Sequence, residues 1–292
     1  MNKGSSTVNA TLEKARTAFQ NQIARSENAD ARVNWARSYV IQRKFNEAEE
    51  VLQQGLQELP ENDELAEARA EVRVNVAREI LRTKGASNYA AGLQLIEALK
   101  IFPGKMDAIR FLASLPAGSI VVTPKQIEGA LEHWKREISE QPEDVEPHEM
   151  YCQLLEICGE HETAIQTLTP VVEKHSSLRQ FLARAYLRNN QQDKADRIYD
   201  VLIEETHDDE SLNEAQAAYR IALLQWEATR YDDAISTLEK THPEVDGKVQ
   251  TAIADQLGRL LVLRSRQFLM QEEDESTVAL ELAVKAMDVL GE

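Results

Sequence analysis

The 292 residues carry a net charge of −17, with 42% hydrophobic and 28% charged content. This composition supplies apolar material for a sizeable core and excludes fibrous and intrinsically disordered chains. The acidic balance argues against nucleic acid and anionic membranes as partners, because both attract cationic surfaces. No apolar run approaches the roughly 20 residues that a membrane-spanning helix needs, and the N-terminus shows no secretory signal pattern, so a cytoplasmic location is expected.

The charge is unevenly distributed along the chain. Residues 1–120 hold 16 Lys and Arg against 15 Asp and Glu, whereas the remainder holds 17 against 35. The acidic C-terminal part fits either a surface that attracts a basic partner segment or an ordinary solvated acidic surface.

The first clear elements are two short amphipathic helices between Asp30 and Asn62, with a break at 42–44 and Pro60 closing the second helix. The segment 144–175 repeats this layout, with Gly159 at the break. Because Ala, Leu, Glu, Gln and Arg favour helix and Gly and Pro are few, helices are expected throughout.

The repeated layout weakens between Pro103 and Pro124. A short helix, Met106 to Leu115, is followed by Pro116 and a β-branched stretch, after which Thr123 is expected to cap a new helix that has Pro124 at its first position. We therefore predict a boundary near Pro116, which divides the chain into residues 1–115 and an acidic part, 116–292. The last two helices, from about Gly247, are expected to be atypical capping helices.

A small residue recurs early in the second helix of each predicted pair, at Ala15, Ala48, Ala91, Ala130, Ala164, Ala195, Ala234 and Ala279. The spacings of 33, 43, 39, 34, 31, 39 and 45 residues scatter around about 34. In this layout the chain resembles the tetratricopeptide repeat family. The resemblance implies an all-α, right-handed superhelical solenoid of antiparallel helix pairs, with about 6–8 irregular repeats.

The resemblance also implies a concave groove, lined by the first helix of each pair, that binds a peptide or helix of a partner protein. Helical spacing places Ile41 in this groove together with ten candidate binding residues: Asn34, Arg37, Glu149, Gln153, Gln180, Arg184, Arg188, Tyr219, Arg220 and Trp226.

Two alternatives remain open for the most distinctive of these side chains. The arginines 184, 188 and 220 could grip a partner carboxylate, or they could pair with acids of the chain itself, such as Asp193, Asp196 and Glu227. Trp226 could anchor a partner or pack between repeats. Binding of a chaperone C-terminal tail is disfavoured, because Glu149 and Gln153 stand where that class needs Lys and Asn.

No catalytic pattern is found in the sequence. A Gly-rich phosphate loop and a nucleophile elbow are missing, and His148-Glu149 lacks the second histidine of a zinc peptidase. Cys152 and Cys158 are expected to be ordinary packing residues.

We therefore expect a noncatalytic scaffold or adaptor without cofactor or metal, whose oligomeric state the residues leave open. The alternative is a structural assembly subunit, or the docking region of a larger protein, that self-associates through its terminal helices.

Overall fold

The computed structural model describes residues 11, 13–21, 29–83, 85–241, 247–271 and 276–291, and all regular elements within these ranges are helical. The chain divides into two compact units, Met1–Thr167 (unit 1) and Leu168–Glu292 (unit 2).

The helices of unit 1 follow the helical residues 13–21. They are α1 (Ala29–Ile41), α2 (Phe45–Glu58), α3 (Asp63–Arg82), α4 (Asn88–Ile101), α5 (Met106–Ser114), a 3-10 turn (Pro124–Ile127), α6 (Glu128–Glu140), α7 (Val145–Cys158) and α8 (His161–Leu168), which ends at the first residue of unit 2.

The helices of unit 2 begin with a 3-10 turn, Ser176–Leu178. They are α9 (Arg179–Arg188), α10 (Gln192–His207), α11 (Glu214–Glu227), α12 (Tyr231–Thr241), α13 (Gly247–Gln271) and α14 (Ser276–Leu290).

Most helices pack in consecutive pairs. The pairs are α1 with α2 and α3 with α4 in unit 1, and α9 with α10, α11 with α12 and α13 with α14 in unit 2. Within each unit the second helix of one pair also packs on the first helix of the next, as α2 does on α3 and α10 on α11. Buried apolar residues such as Leu52, Leu65 and Leu238 fill the space between them. The predicted all-α fold of antiparallel helix pairs is confirmed.

Among the residues that the structure describes, one turn geometry recurs four times between helices. The residue two positions before the second helix has a left-handed backbone conformation at Arg43 (φ 57°), Gly159 (φ 77°), Asn190 (φ 55°) and Thr229 (φ 63°). In each turn the following amide N–H donates to the carbonyl oxygen five residues earlier, with N···O distances of 3.0, 2.8, 2.9 and 2.8 Å in chain order. This is the hydrogen bond of a Schellman helix ending, which satisfies a carbonyl that the helix leaves unpaired.

The alanine spacing is tied to this turn. Five residues after each left-handed position stands an alanine of the second helix, namely Ala48, Ala164, Ala195 and Ala234, each at most 3% exposed. The predicted breaks at 42–44 and at Gly159 are therefore confirmed, as is the small buried residue that follows them. Ala91, Ala130 and Ala279 are also buried, but their helices are entered by other connections.

In the irregular stretch in the middle of unit 1, the predicted short helix and the predicted start signal at Thr123 are confirmed. The short helix α5 ends at Ser114, and Thr123 opens the 3-10 turn with a capping box to Gln126 and Pro124 at its first position. Helix α5 packs on α4 and α7, and α6 packs on α7, so α5 and α6 do not form a pair like the others. The predicted boundary between residues 115 and 116 falls in this stretch, inside unit 1, whereas the compact units divide after Thr167.

Candidate functional site

A pocket of about 450 Å³ lies between α1 and α3 in unit 1. These two helices are the first members of their pairs and pack against each other. The pocket has an apolar floor formed by Val33, Ala36 and Val40 of α1, Leu52 of α2, and Ala68 and Val72 of α3. We call it the unit 1 pocket; Ile41, whose side chain is 68% exposed, also lines it.

Charged side chains surround this floor. Glu64, Glu67 and Glu71 of α3 lie on one helix face because they are three and four residues apart. Lys105 reaches the same face, with its Nζ 2.9 Å from Glu71 Oε2 and 3.3 Å from Glu67 Oε1. Arg37 of α1 supplies the second cation. Three carboxylates thus meet two cations, which leaves the pocket acidic.

Two of the charged groups that line the pocket, Glu64 and Lys105, have raised pKa values. Desolvation raises the pKa of Glu64, and a side-chain hydrogen bond and charge repulsion from Asp30 raise it further, against the lowering effect of Arg37. Desolvation lowers the pKa of Lys105, but its hydrogen bonds to Glu71 and Glu67 outweigh this, so that its pKa is raised. Lys105 therefore remains charged and binds Glu67 and Glu71, while Glu64 and Asp30 are hydrogen-bonded neighbours that repel each other when both are ionised.

Two predicted groove residues lie at or beside this pocket. Arg37 lines it, and its Nη1 donates to Asn34 Oδ1 at 3.5 Å on the exposed side of α1. The structure thus brings Asn34 and Arg37 together and adds Ile41 from the same helix.

The predicted residues of α7 lie elsewhere in unit 1 and do not line the unit 1 pocket. Glu149 is half-buried, and desolvation, with repulsion from Glu146, raises its pKa against the attraction of Arg110. Gln153 has a buried Oε1 for which the described residues provide no hydrogen-bond donor.

In unit 2, Gln180 and Arg184 of α9 converge on one acid of α11. Gln180 Nε2 donates to Glu227 Oε2 at 2.8 Å, and Arg184 Nη1 lies 3.8 Å from Glu227 Oε1. Arg184 also stacks on Phe181, with the guanidinium carbon 4.7 Å from the ring centre. Arg184 therefore has an acidic neighbour within unit 2. This agrees with the alternative in which the arginine pairs with an acid of the chain itself.

The remaining predicted residues are dispersed. Arg188 is exposed at the last position of α9, and Arg220 lies 3.9 Å from Asp209. Tyr219 and Trp226 are partly buried and pack against the core cluster of unit 2 formed around Leu238, Leu257 and Leu260. This placement favours the packing alternative for Trp226, and the binding role of all ten residues stays a prediction.

Sequence reasoning missed Glu64, Glu67 and Lys105. The two glutamates look like ordinary polar-face residues of α3, and Lys105 lies outside any predicted helix. The only signal for the two glutamates was the three- and four-residue spacing of acids on the first helix of a pair, which many solvated helices share.

The two cysteines are free thiols. Burial, followed by repulsion from a nearby glutamate, raises the pKa of both Cys152 and Cys158 to about 12. Such thiols are poor nucleophiles and poor metal ligands at neutral pH. Across the described ranges, no group of three or more His, Cys, Asp or Glu side chains is arranged to hold a metal ion, and no helix could span a membrane.

Comparisons with known proteins find structural likeness only. No protein-family model and no curated protein sequence matches the chain. A tetratricopeptide repeat protein from Parabacteroides merdae aligns over 89% of this chain and 98% of its own, with 18% identity and a TM-score of 0.41. A monomeric IFIT1 mutant with m7Gppp-AAAA aligns over 96% of this chain and 64% of its own (14% identity, TM-score 0.41). The human IFIT1 dimer with PPP-AAAA gives 96% and 65% (17% identity, TM-score 0.37), so this chain spans about two thirds of IFIT1.

Proposed function

We propose that this chain is a noncatalytic, tetratricopeptide-like scaffold of the cytoplasm that binds a segment of a partner protein in the unit 1 pocket. The single observation that carries the proposal is the pocket itself, an apolar floor of about 450 Å³ on the first helices of two consecutive pairs. Clefts of this size, with apolar walls and a few polar groups at the edge, are the usual form of a binding site.

The pocket chemistry specifies the partner segment. One apolar side chain of the segment would cover Val40 and Ala68 on the floor. A Lys or Arg close to it would lie beside Glu64, where Asp30 leaves excess negative charge. Such a cation gains charge attraction and relieves the repulsion between the two carboxylates. The occupant is therefore a basic, amphipathic peptide or helix.

Selection from a displayed random-peptide library tests this proposal with a defined probe. Peptides enriched on the wild-type chain should combine a large apolar residue with a nearby Lys or Arg. Enriched peptides should bind at least tenfold more weakly to Glu64→Lys, which reverses the exposed charge at the edge. They should also bind weakly to Ala68→Phe, which fills the floor.

The matched control is Glu140→Lys, which makes the same charge change at an exposed position of α6 that does not line the pocket. Circular dichroism and thermal melting of each variant establish that the fold is intact. Equal peptide affinity for wild type, Glu64→Lys and Ala68→Phe would refute the proposal, as would failure of the library to enrich any peptide.

A further inference from the structure

Helix α14 has an apolar surface that its own unit leaves exposed. Ala279 and Ala286 are each 1% exposed and form its buried side. Leu280, Val284 and Met287 are 65%, 49% and 51% exposed. These three recur at intervals of four and three residues, so they form one continuous line along the helix. We call them the α14 stripe.

The register between α13 and α14 is fixed by two contacts. Ser265 Oγ donates to the carbonyl oxygen of Ala279 at 2.7 Å. Gly258 approaches Leu290 so closely that an added Cβ would lie 2.7 Å from Leu290 Cδ2. The helices are therefore antiparallel, with residues near 265 beside those near 279 and residues near 258 beside those near 290.

The stripe lies on the side of α14 that faces away from the unit 2 core. Leu282 and Val289 pack against the core cluster around Leu238. Successive residues of a helix are about 100° apart around its axis. Leu280 and Val284 therefore lie on one side of buried Ala279, and Leu282 and Val289 lie on the other. No chain segment among the described residues buries the side with Leu280 and Val284, as the exposures show.

Two arginines of α13 lie on the same outward side. Ile253 and Leu257 are buried in the core cluster and define the inner face of α13. Arg264 lies on this inner face as well, and its Nη2 is 2.8 Å from Asp232 Oδ2. Arg259 and Arg266 are seven residues apart and exposed, and the helical period places both on the opposite face of α13.

Two acids of α14 flank the α14 stripe on the side away from α13. Glu281 and Asp288, also seven residues apart and exposed, each follow a stripe residue by one position. They therefore lie beyond the stripe as seen from α13. Across this surface run, in order, a line with Arg259 and Arg266, which also includes the exposed Asp255 four residues before Arg259, then the apolar stripe, and then the line of Glu281 and Asp288. We call the whole surface the α13–α14 face.

We propose that the α13–α14 face binds the same face of a second copy of this chain, in a two-fold dimer whose axis runs parallel to α14. Such an axis brings each stripe against its symmetry mate and reverses the order of the flanking lines. The arginine line of one copy then meets the acidic line of the other. A two-fold axis across the helices would instead place arginines against arginines and acids against acids, which is repulsive.

The register makes the ionic pairing specific. Rotation about an axis parallel to α14 leaves the position of each residue along that axis unchanged. Along the axis, Arg266 lies level with residues near 279, and Arg259 lies nearer to residue 290. Arg266 therefore meets Glu281 of the second copy, and Arg259 meets Asp288 of the second copy. The proposal concerns unit 2 alone and does not depend on the pocket of unit 1.

Sedimentation velocity of the full chain at about 1 to 100 μM tests the dimer directly. Wild type should sediment as a species of twice the 33.0 kDa chain mass, and Val284→Glu should be a monomer with unchanged helicity. The matched control is Val201→Glu on α10, which replaces another exposed valine (42% exposed) outside the face and should leave the dimer intact. A wild-type monomer throughout this range would overturn the proposal.

Charge exchange tests the orientation. Arg266→Glu and Glu281→Arg should each weaken the dimer by about tenfold or more, and the double exchange should return it to within about threefold of wild type. A double variant weaker than both single ones would overturn the parallel two-fold arrangement. Peptide selection on the Val284→Glu monomer separates this proposal from the scaffold function, because its unit 1 pocket is unaltered.

Discussion

At the scale of single residues, several arginines of unit 2 are bound by acids of the same unit. Arg230 binds both Asp196 and Asp200, at 3.0 and 2.6 Å, and Arg264 binds Asp232. Asp196, which the sequence offered as a partner for Arg184, is thus held by Arg230. An arginine at groove spacing is therefore insufficient to indicate a partner carboxylate, and its acidic neighbours must be located first.

The pair formed by Arg184 and Glu227 yields a prediction for stability. Arg184→Glu places a second carboxylate beside Glu227, which accepts the hydrogen bond of Gln180, so unit 2 should lose about 1 kcal/mol of stability. The pair is about one third exposed, which keeps the effect small. Urea titration measures the loss. The exchange variant with Glu227→Arg should recover most of it, and a double variant no better than the single one would contradict the pairing.

The buried thiols yield a prediction for reactivity and for pH dependence. A pKa of about 12 leaves almost no thiolate at pH 8, so iodoacetamide should alkylate native Cys152 and Cys158 at least about a hundredfold more slowly than the unfolded chain. The folded state binds the two thiol protons more tightly than the unfolded chain does. The contribution of the thiols to the free energy of unfolding is therefore complete below about pH 8.5 and declines as the pH rises toward 12. Mass spectrometry at pH 8, with and without guanidinium, measures alkylation. Fast labelling of the native chain would contradict the assigned burial.

At the scale of elements, the four Schellman turns explain how much of the fold the sequence predicts. The turn sets the start of the second helix, and the alanine five residues later lets that helix approach its neighbour. The alanine spacing therefore predicted four helix–turn–helix units correctly. Only Gly159 is a glycine among the four left-handed residues, so glycine alone would have revealed one turn of four.

The rest of the fold escaped prediction for a physical reason. Helix α5 packs on α4 and α7 rather than on α6, and this choice depends on the long connection from Leu115 to Thr123. Spacing patterns report the period of a helix face but do not report which neighbour that face meets. The unit 1 pocket could likewise be predicted only in part. Helical spacing predicts Arg37 and Ile41, whereas Lys105 reaches the pocket only through the course of the chain after α4.

Thr229 provides a prediction at this scale. A β-branched residue with φ of 63° is strained, and glycine at the same place is not. Thr229→Gly should therefore stabilise unit 2 by about 0.5–1 kcal/mol. Asn190→Gly is the matched control and should gain less, because asparagine tolerates this conformation. Thermal and urea unfolding measure both, and destabilisation by Thr229→Gly would show that the turn is held by something other than its backbone.

At the scale of the whole molecule, the net charge of −17 acts against compactness. Screening should weaken this self-repulsion more than it weakens the close ion pairs, since screening acts most on separated, exposed charges. We expect the thermal midpoint to rise as NaCl increases from about 10 to 150 mM, where the Debye length shortens to about 8 Å. Calorimetry in buffers of matched pH measures this. A falling midpoint would mean that ion pairs dominate the electrostatics.

Most helices pack on their neighbours in the chain, and this has a consequence for biogenesis. Contacts between sequence neighbours need little loop closure, and such topologies fold fast and step by step. In unit 1, α1, α2 and α3 already bury Val33, Leu52 and Leu65 together. This cluster can condense as soon as α3 leaves the ribosome, long before the C-terminal helices have been synthesised. Translation itself can thus set the order in which this protein acquires its structure.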